Sequence, residues 1–400
     1  MSFLEHTRVL DLGGDWGGLP GQILAQMGAE VIRVEPPGGD AARRRAPVAG
    51  GASLPWAAFN MSKRSVTADL NTPAGRALLL DLVAGAQAVI ESHRPGQLEA
   101  FGLSAEHLIA VHPGLVVTSL TAFGQCGPRV AEHASDTTVM ALSGLMAVTG
   151  FAGLPPLRLG FDQITSLGGL QAALGTLIAL YARASDGLGQ HVDVSVLDAA
   201  RLANYREPLR WEFQRAVETR RGNVARRGRG GFTSNVWRCR DGWVTWSASD
   251  DPKRARSFFD AAHAKGMALD WQDHNFAAEL PADMDQSRID ALEAAIAPFF
   301  ELYSRNELEE MAREKGWILI AFLDMAEARS QPQLGARGFW TEENLGQLRI
   351  PVPAFPFRAS ADQPRHRGPP PEPGQDNATI YSELGRSPED IARLKAEGVI

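Results

Sequence analysis

The opening of the chain reads as a strand, a glycine-rich turn, a helix and a second strand cut off by prolines. Arg8-Val9-Leu10-Asp11-Leu12 is the first strand, Gly13-Gly14-Asp15-Trp16-Gly17-Gly18 the turn, and Pro20 to Met27 the helix. Glu30-Val31-Ile32-Arg33-Val34-Glu35 is the second strand, ended by Pro36-Pro37-Gly38-Gly39. This is a βαβ unit, and such units offer ligand sites at the carboxyl ends of their strands. A dinucleotide fingerprint would place glycines at i, i+2 and i+5 between strand and helix. Gly13 is followed at i+2 by Asp15 and Gly14 by Trp16, so neither register fits, and Trp16 would crowd a pyrophosphate.

Further segments follow in order. Phe59 to Leu70 precedes Thr72-Pro73-Ala74-Gly75-Arg76, a helix start with Thr as N-cap and Pro in the first turn. Ala88-Val89-Ile90-Glu91 is a short buried strand ended by Ser92-His93-Arg94-Pro95-Gly96. Thr121-Ala122-Phe123-Gly124-Gln125-Cys126-Gly127-Pro128, Ser143-Gly144-Leu145-Met146, Gly187 to Ser195 and Leu197-Asp198-Ala199-Ala200 come later. Taken together, these segments resemble the class III coenzyme A-transferases, the family of formyl-CoA transferase, carnitine CoA-transferase and the 2-methylacyl-CoA racemases. The resemblance reaches the tail, where Ile380-Tyr381-Ser382-Glu383-Leu384-Gly385 and Ile391-Ala392-Arg393-Leu394 look like the family's closing helices.

The resemblance implies an α/β protein: a Rossmann-like large domain built from both chain ends, a smaller α+β domain from the middle, and two subunits interlocked like links. The corresponding division is 1–205 for the first part of the large domain, 206–329 for the small domain and its linkers, and 330–400 for the return. Within it, Trp237 to Trp246 reads as two strands around an Asp-Gly turn. Leu348 to Pro353 and Phe355 to Arg358 read as strands, and Arg367 to Gly374 as an extended Pro-rich connector. The longest helical stretch runs from about Leu167 to Ala184: Leu167, Leu170, Leu174, Leu177, Ile178 and Tyr181 recur at helical spacing, and Gly168-Gly169 and Gly175 permit close packing.

Composition narrows the function class. A net charge of −7 over 400 residues does not suggest nucleic acid as a partner. No apolar run approaches the ~20 residues of a membrane span, so no membrane association is expected. No basic n-region precedes an apolar core at the N-terminus, and the two cysteines, Cys126 and Cys239, lack metal spacing. These features suggest a reducing, cytoplasmic setting, with both cysteines as small packed residues.

Family members transfer CoA between carboxylic acids. An aspartate attacks the acyl-CoA thioester to give a mixed anhydride, CoA thiolate converts this to an enzyme thioester, and the acceptor acid then takes over. The anhydride keeps the acyl group activated and splits one barrier into smaller ones. The expected ligands are therefore an acyl-CoA and a carboxylic acid acceptor, with coenzyme A as substrate and no permanently bound cofactor. In the family the aspartate stands five residues after a glycine, before the long helix. Here Gly160 matches the glycine and Thr165 occupies the aspartate position; Asp162 lies three residues earlier. Three readings stay open: Asp162 serves as nucleophile; the chain pairs with a paralogous subunit that carries the aspartate, as heterodimeric members do, instead of forming a homodimer; or another residue or reaction is used. Asp162 is also an ordinary helix cap in type.

The racemases use a His-Asp pair at the position of Ser135-Asp136. With no histidine at 135 and His133 two residues early, Asp136 is a site-lining or structural carboxylate. Positions matching the family's coenzyme contacts are Pro36, Ala68, Asn71, Ser92, His93 and His133, with Arg43, Lys63, Arg64 and Arg94 as cationic candidates. Lys63 and Arg64 could instead be structural, paired with buried acids. Ala100 stands where many members carry a phosphate-binding arginine. Arg220, Arg221, Arg226, Arg227 and Arg229 surround Gly228-Arg229-Gly230-Gly231, a candidate lid.

Overall fold

The computed structural model of the chain describes residues 2–14, 16–226, 231–247, 251–345 and 348–400. The chain forms two compact units, the larger from residues 1–146, 158–217 and 332–400, the smaller from 147–157 and 218–331.

The larger unit is built on six strands: β1 (Arg8–Gly14), β2 (Glu30–Glu35), β3 (Arg64–Thr67), β4 (Ala88–Ser92), β5 (Val116–Thr121) and β6 (His191–Ser195). They lie in the order β3-β2-β1-β4-β5-β6, and every neighbouring pair is parallel. This is the doubly wound order whose direction of winding reverses between β1 and β4.

Alternation along the strands fills both faces. Val9, Val31, Ala88, Ile90 and Val116 pack on one side with Leu24 and Ala25 of helix α1 (Leu19–Gln26). Leu10, Ile32, Val34, Val66, Val89 and Val117 pack on the other with Leu78, Leu79 and Leu82 of helix α2 (Pro73–Ala84). A sheet buried on both sides explains why its strands read as continuous apolar runs.

Two more helices position the site: α3 (Asp136–Ser143) and the 24-residue α4 (Gln163–Asp186). α4 turns its small residues, among them Gly168, Gly169, Ala172, Ala173 and Thr176, inward. A Cβ on Gly168 would come within 3.0 Å of Val196 and one on Gly175 within 2.8 Å of Val192. The large residues at helical spacing point the other way, and Leu170, Leu174, Ile178 and Tyr181 are exposed. α4 is long and apolar enough to cross a membrane by length and composition alone, as the core helix of a folded domain also is; its inner face covers the sheet. The outer face, with α1 and residues 352–357, lines an apolar groove of about 530 Å³.

The C-terminal tail closes the α2 side of the sheet at β3. Asp376 accepts the Ser65 amide at 2.9 Å, and the buried Tyr381 hydroxyl donates to the Thr67 carbonyl at 2.6 Å. Tyr381→Phe is expected to lower stability by about 1 kcal/mol, read by urea unfolding, because one buried hydrogen bond is lost with almost no change of shape. The helices Asn377–Glu383 and Pro388–Ala396 complete the tail. Before it, Leu348–Pro353 pairs antiparallel with Trp340–Leu345. Phe355 to Arg358 is not a strand, against expectation; Pro356 lies within it and removes a donor a ladder needs.

The smaller unit carries a three-stranded antiparallel sheet of Val236–Cys239, Gly242–Trp246 and Leu319–Ala321, the first two joined by the expected tight turn. Helices Pro252–His263 and Gln286–Glu301 bring Phe258, Phe299 and Phe300 against Trp237 and Trp246. Trp246 and Phe258 stack at 4.0 Å between centroids.

Candidate active site

Where the winding reverses, the end of β1 lies against the end of β4 and the turn after β1 folds over both. Ser92 joins them: its hydroxyl donates to the Gly13 carbonyl at 3.0 Å and accepts the Trp16 amide at 3.2 Å. Gly13 has φ +70, and a side chain there would overlap the Arg33 guanidinium. Beside this junction lies a cavity of about 190 Å³, lined by Trp16, Ser92, His93, Arg94, Phe123 and His133 among others. Four of the residues expected to contact coenzyme thus come together, and Arg94 Nη1 lies 3.2 Å from His133 Nε2. The Ser92 hydroxyl is committed inside the fold.

Beneath the turn is a buried charge network. Asp11 receives Arg33 at 2.8 Å, Lys63 at 2.6 Å and the Gly13 amide at 2.9 Å. Burial alone would raise the Asp11 carboxyl, but Lys63 and Arg33 hold it below the usual carboxylate range. Lys63 also donates to the Gly18 carbonyl at 2.7 Å and to Asn60 at 2.9 Å, and burial pushes it down to about 8. Glu35 takes both Nε and Nη2 of Arg43, at 2.7 and 2.6 Å, and the Arg43 guanidinium lies 3.7 Å over Trp56.

Two of the expected coenzyme contacts, Lys63 and Arg43, are engaged within the fold. All three Lys63 donors are used internally, and Arg43 is clamped between an acid and a ring. Arg64 opens β3, at the amino end of a parallel sheet, where it pairs with Glu30 at 2.6 Å and Asp376 at 3.2 Å, at the end opposite Pro36 and Ala68. Pro36, Ala68 and Asn71 do follow the carboxyl ends of β2 and β3. Pro36 and Asn71 are exposed, whereas Ala68 is buried with its amide on the Glu35 carbonyl. With His93 they form a row along that edge, about 14 Å for the three strand spacings from β3 to β4.

The start of α4 holds the acids. Ser135 caps α3, accepting the Thr138 amide at 3.4 Å, and so fixes Asp136 in the first turn. Asp136 Oδ2 reaches across to α4 and accepts both the Thr165 amide at 2.9 Å and the Thr165 hydroxyl at 3.1 Å. Its other oxygen has no hydrogen-bond partner and lies 3.9 Å from Arg158 Nη2. Asp136 therefore caps α4 from outside the helix.

Asp162 stands at the N-cap position, yet its side chain makes no capping bond. Its Oδ1 faces Arg158 Nη2 at 3.3 Å and its Oδ2 pairs with Arg45 Nη2. The carboxylate stays 27% exposed, against 9% for Asp136. Phe161, before it, has φ +61, which a non-glycine residue rarely adopts.

Neither Arg45 nor Arg158 is among the residues picked out from sequence. Arg158 lies four positions before Asp162 and Arg45 ends an arginine triplet, but only the fold brings the triplet to α4. Cys239 is buried, whereas Cys126 is exposed on a loop and not packed as expected. Among the described residues no group of His, Cys, Asp and Glu is placed to hold a metal ion. Residues 227–230 of the expected lid, like Asp15 of the turn, lie outside the described residues. Of the lid's other arginines, Arg221 donates to Glu218 at 3.1 Å and lies 3.8 Å over Phe232.

Comparison with known proteins gives a consistent result. The model of CoA-transferase family III matches residues 4–377. Succinyl-CoA--D-citramalate CoA-transferase of Chloroflexus aurantiacus is 33% identical over 99% of this chain and 98% of its own length. Succinyl-CoA:(R)-benzylsuccinate CoA-transferase subunit BbsE of Thauera aromatica is 31% identical over 99% and 98%. Among solved structures, a CAIB/BAIF family protein from Brucella suis matches with TM-score 0.83 and 26% identity, covering 96% of this chain and 99% of that one.

Proposed function

The chain belongs to CoA-transferase family III, and from that premise we propose that it moves CoA between organic acids with Asp162 as its nucleophile. The observation that carries this reading is the state of the two carboxylates at α4. Asp136 is the less exposed, at 9%, and tied to Thr165, whereas Asp162 is 27% exposed and its carboxylate is held by two arginine side chains. In the proposed reaction an Asp162 oxygen attacks the thioester carbonyl, the C–S bond breaks, and CoA leaves as thiolate. The thiolate attacks the aspartyl carbonyl of the anhydride, releasing the donor acid as carboxylate and leaving an aspartyl-CoA thioester. The acceptor carboxylate repeats the sequence in reverse and restores Asp162. The thioester would lie along the carboxyl edge of the sheet, with His93, Arg94 and His133 beside the 190 Å³ cavity.

The acids named for the two relatives, citramalate and benzylsuccinate with succinyl-CoA as donor, each carry two carboxylates, which supports dicarboxylic acids as the substrate class here. A racemase reading has less support, because Ser135 serves as a helix cap where that chemistry needs a proton carrier.

A second reading has its own observation. Thr165 replaces the family aspartate, and one of the relatives is by name a subunit. In that case the chain is the companion of a paralogous subunit that carries the nucleophile. Hydroxylamine trapping separates the two. Incubated with succinyl-CoA and hydroxylamine, the chain alone is expected to yield a hydroxamate at Asp162 by mass spectrometry. Clean CoA binding without modification would favour the companion role. Under the companion reading, Thr165→Asp would give the isolated chain transfer activity at least about a hundredfold above background.

A further inference from the structure

We propose that Arg45 and Arg158 form the receptor for the distal carboxylate of a dicarboxylic acyl group, and that Asp162 occupies this receptor in the resting chain. The inference rests on the transferase reading and goes beyond it by naming the residues that select the substrate and release the nucleophile.

The two guanidinium groups come from distant segments, one after β2 and one before α4, and take opposite oxygens of one carboxylate. That is how a receptor for a small carboxylate is built. Both arginines remain open to solvent, at 56% and 43% exposure, so a ligand can reach them while Asp162 is bound. Asp162 gains nothing from α4 in this position, since its side chain makes no capping bond. The preceding Phe161 holds a left-handed backbone conformation and exposes 78% of its surface, so the loop has little packing to keep it in place. Arg158 also faces Asp136 at 3.9 Å, so it keeps an anionic neighbour on α3 when Asp162 leaves.

The energetics favour exchange. Exposed ion pairs contribute only about 0–1 kcal/mol. A substrate already held through its CoA presents its distal carboxylate at an effective concentration of roughly millimolar or more. One carboxylate replaces another, so the charge of the site is conserved. The displaced Asp162 is then free to meet the thioester of the same substrate. A monocarboxylic acyl-CoA cannot make this exchange and leaves Asp162 held by its arginines.

The test uses the full chain saturated with CoA. Binding of glutarate and of butyrate is measured by calorimetry for the wild type, Asp162→Asn, Arg45→Gln, Arg158→Gln and Arg158→Lys. Glutarate is expected to bind Asp162→Asn about tenfold tighter than wild type and each glutamine variant at least about tenfold more weakly, with partial recovery in Arg158→Lys and no change for butyrate. In parallel, hydroxylamine trapping compares succinyl-CoA with butyryl-CoA, and acylation by succinyl-CoA is expected to be at least about tenfold faster. Equal binding of the two acids, or no gain in Asp162→Asn, overturns the receptor. Equal trapping rates would leave Asp162 as nucleophile and remove the receptor. Arginine-dependent glutarate binding without any acylated Asp162 would retain the receptor and remove the nucleophile.

Discussion

Asp162→Asn is expected to lower CoA transfer by at least about a thousandfold, because an amide cannot form the anhydride and no other step replaces it. Stability should change by no more than about 1 kcal/mol: the lost ion pairs are exposed, and asparagine is itself a good helix N-cap. The variant keeps its shape, so the acyl-CoA should still bind, and the loss should appear in kcat. The measurement is transfer from succinyl-CoA to a dicarboxylic acceptor, with circular dichroism as the folding control. Unchanged transfer in a complex with a paralogous subunit would move the nucleophile to that subunit.

Asp11→Ala is expected to destabilise the larger unit by about 3–5 kcal/mol, because it leaves the Arg33 and Lys63 cations buried without their shared counter-charge. The Gly13 amide would lose its acceptor as well. Hydrogen-exchange protection of β1, β2 and β3 is the appropriate readout, because it localises the loss to this unit. The same network predicts a pH signature with a defined sign. Lys63 in the folded chain releases its proton at about 8, against 10.5 for the ordinary side chain. Between those values only the unfolded chain keeps that proton, so this group makes stability rise with pH across the window. The wild type should therefore gain on Lys63→Met from pH 8 toward 10.5. Asp11 acts in the opposite range: its carboxyl is held low in the folded chain, and the stability it contributes is lost as pH falls through the acid range below the ordinary 3.8.

Much of the larger unit was legible in order. β1, α1 and β2 lie where apolar runs, glycines and prolines mark them, since those signals are local. The pattern did not say which side of α4 faces the sheet. Large apolar residues at helical spacing point outward there because the helix lies so close to Val192 and Val196 that a Cβ on Gly168 or Gly175 would already crowd them. Phe355 to Arg358 had strand-like composition but no partner. His93, Arg94 and His133, singled out from the resemblance and their charge, line one cavity. Lys63, Arg43 and Arg64 have the same chemistry on paper, yet in the fold each pairs with an acid: Asp11, Glu35 and Glu30.

What the residues determined by themselves is the class of protein, because motif order and residue identity are properties of the chain. What only the tertiary structure decided is which charges are available. Arg45 and Asp162 stand 117 positions apart, and no periodicity links them. They meet because the loop after β2 and the loop before α4 close over the same edge of the sheet, and an ion pair depends on distance in space, which local sequence does not encode.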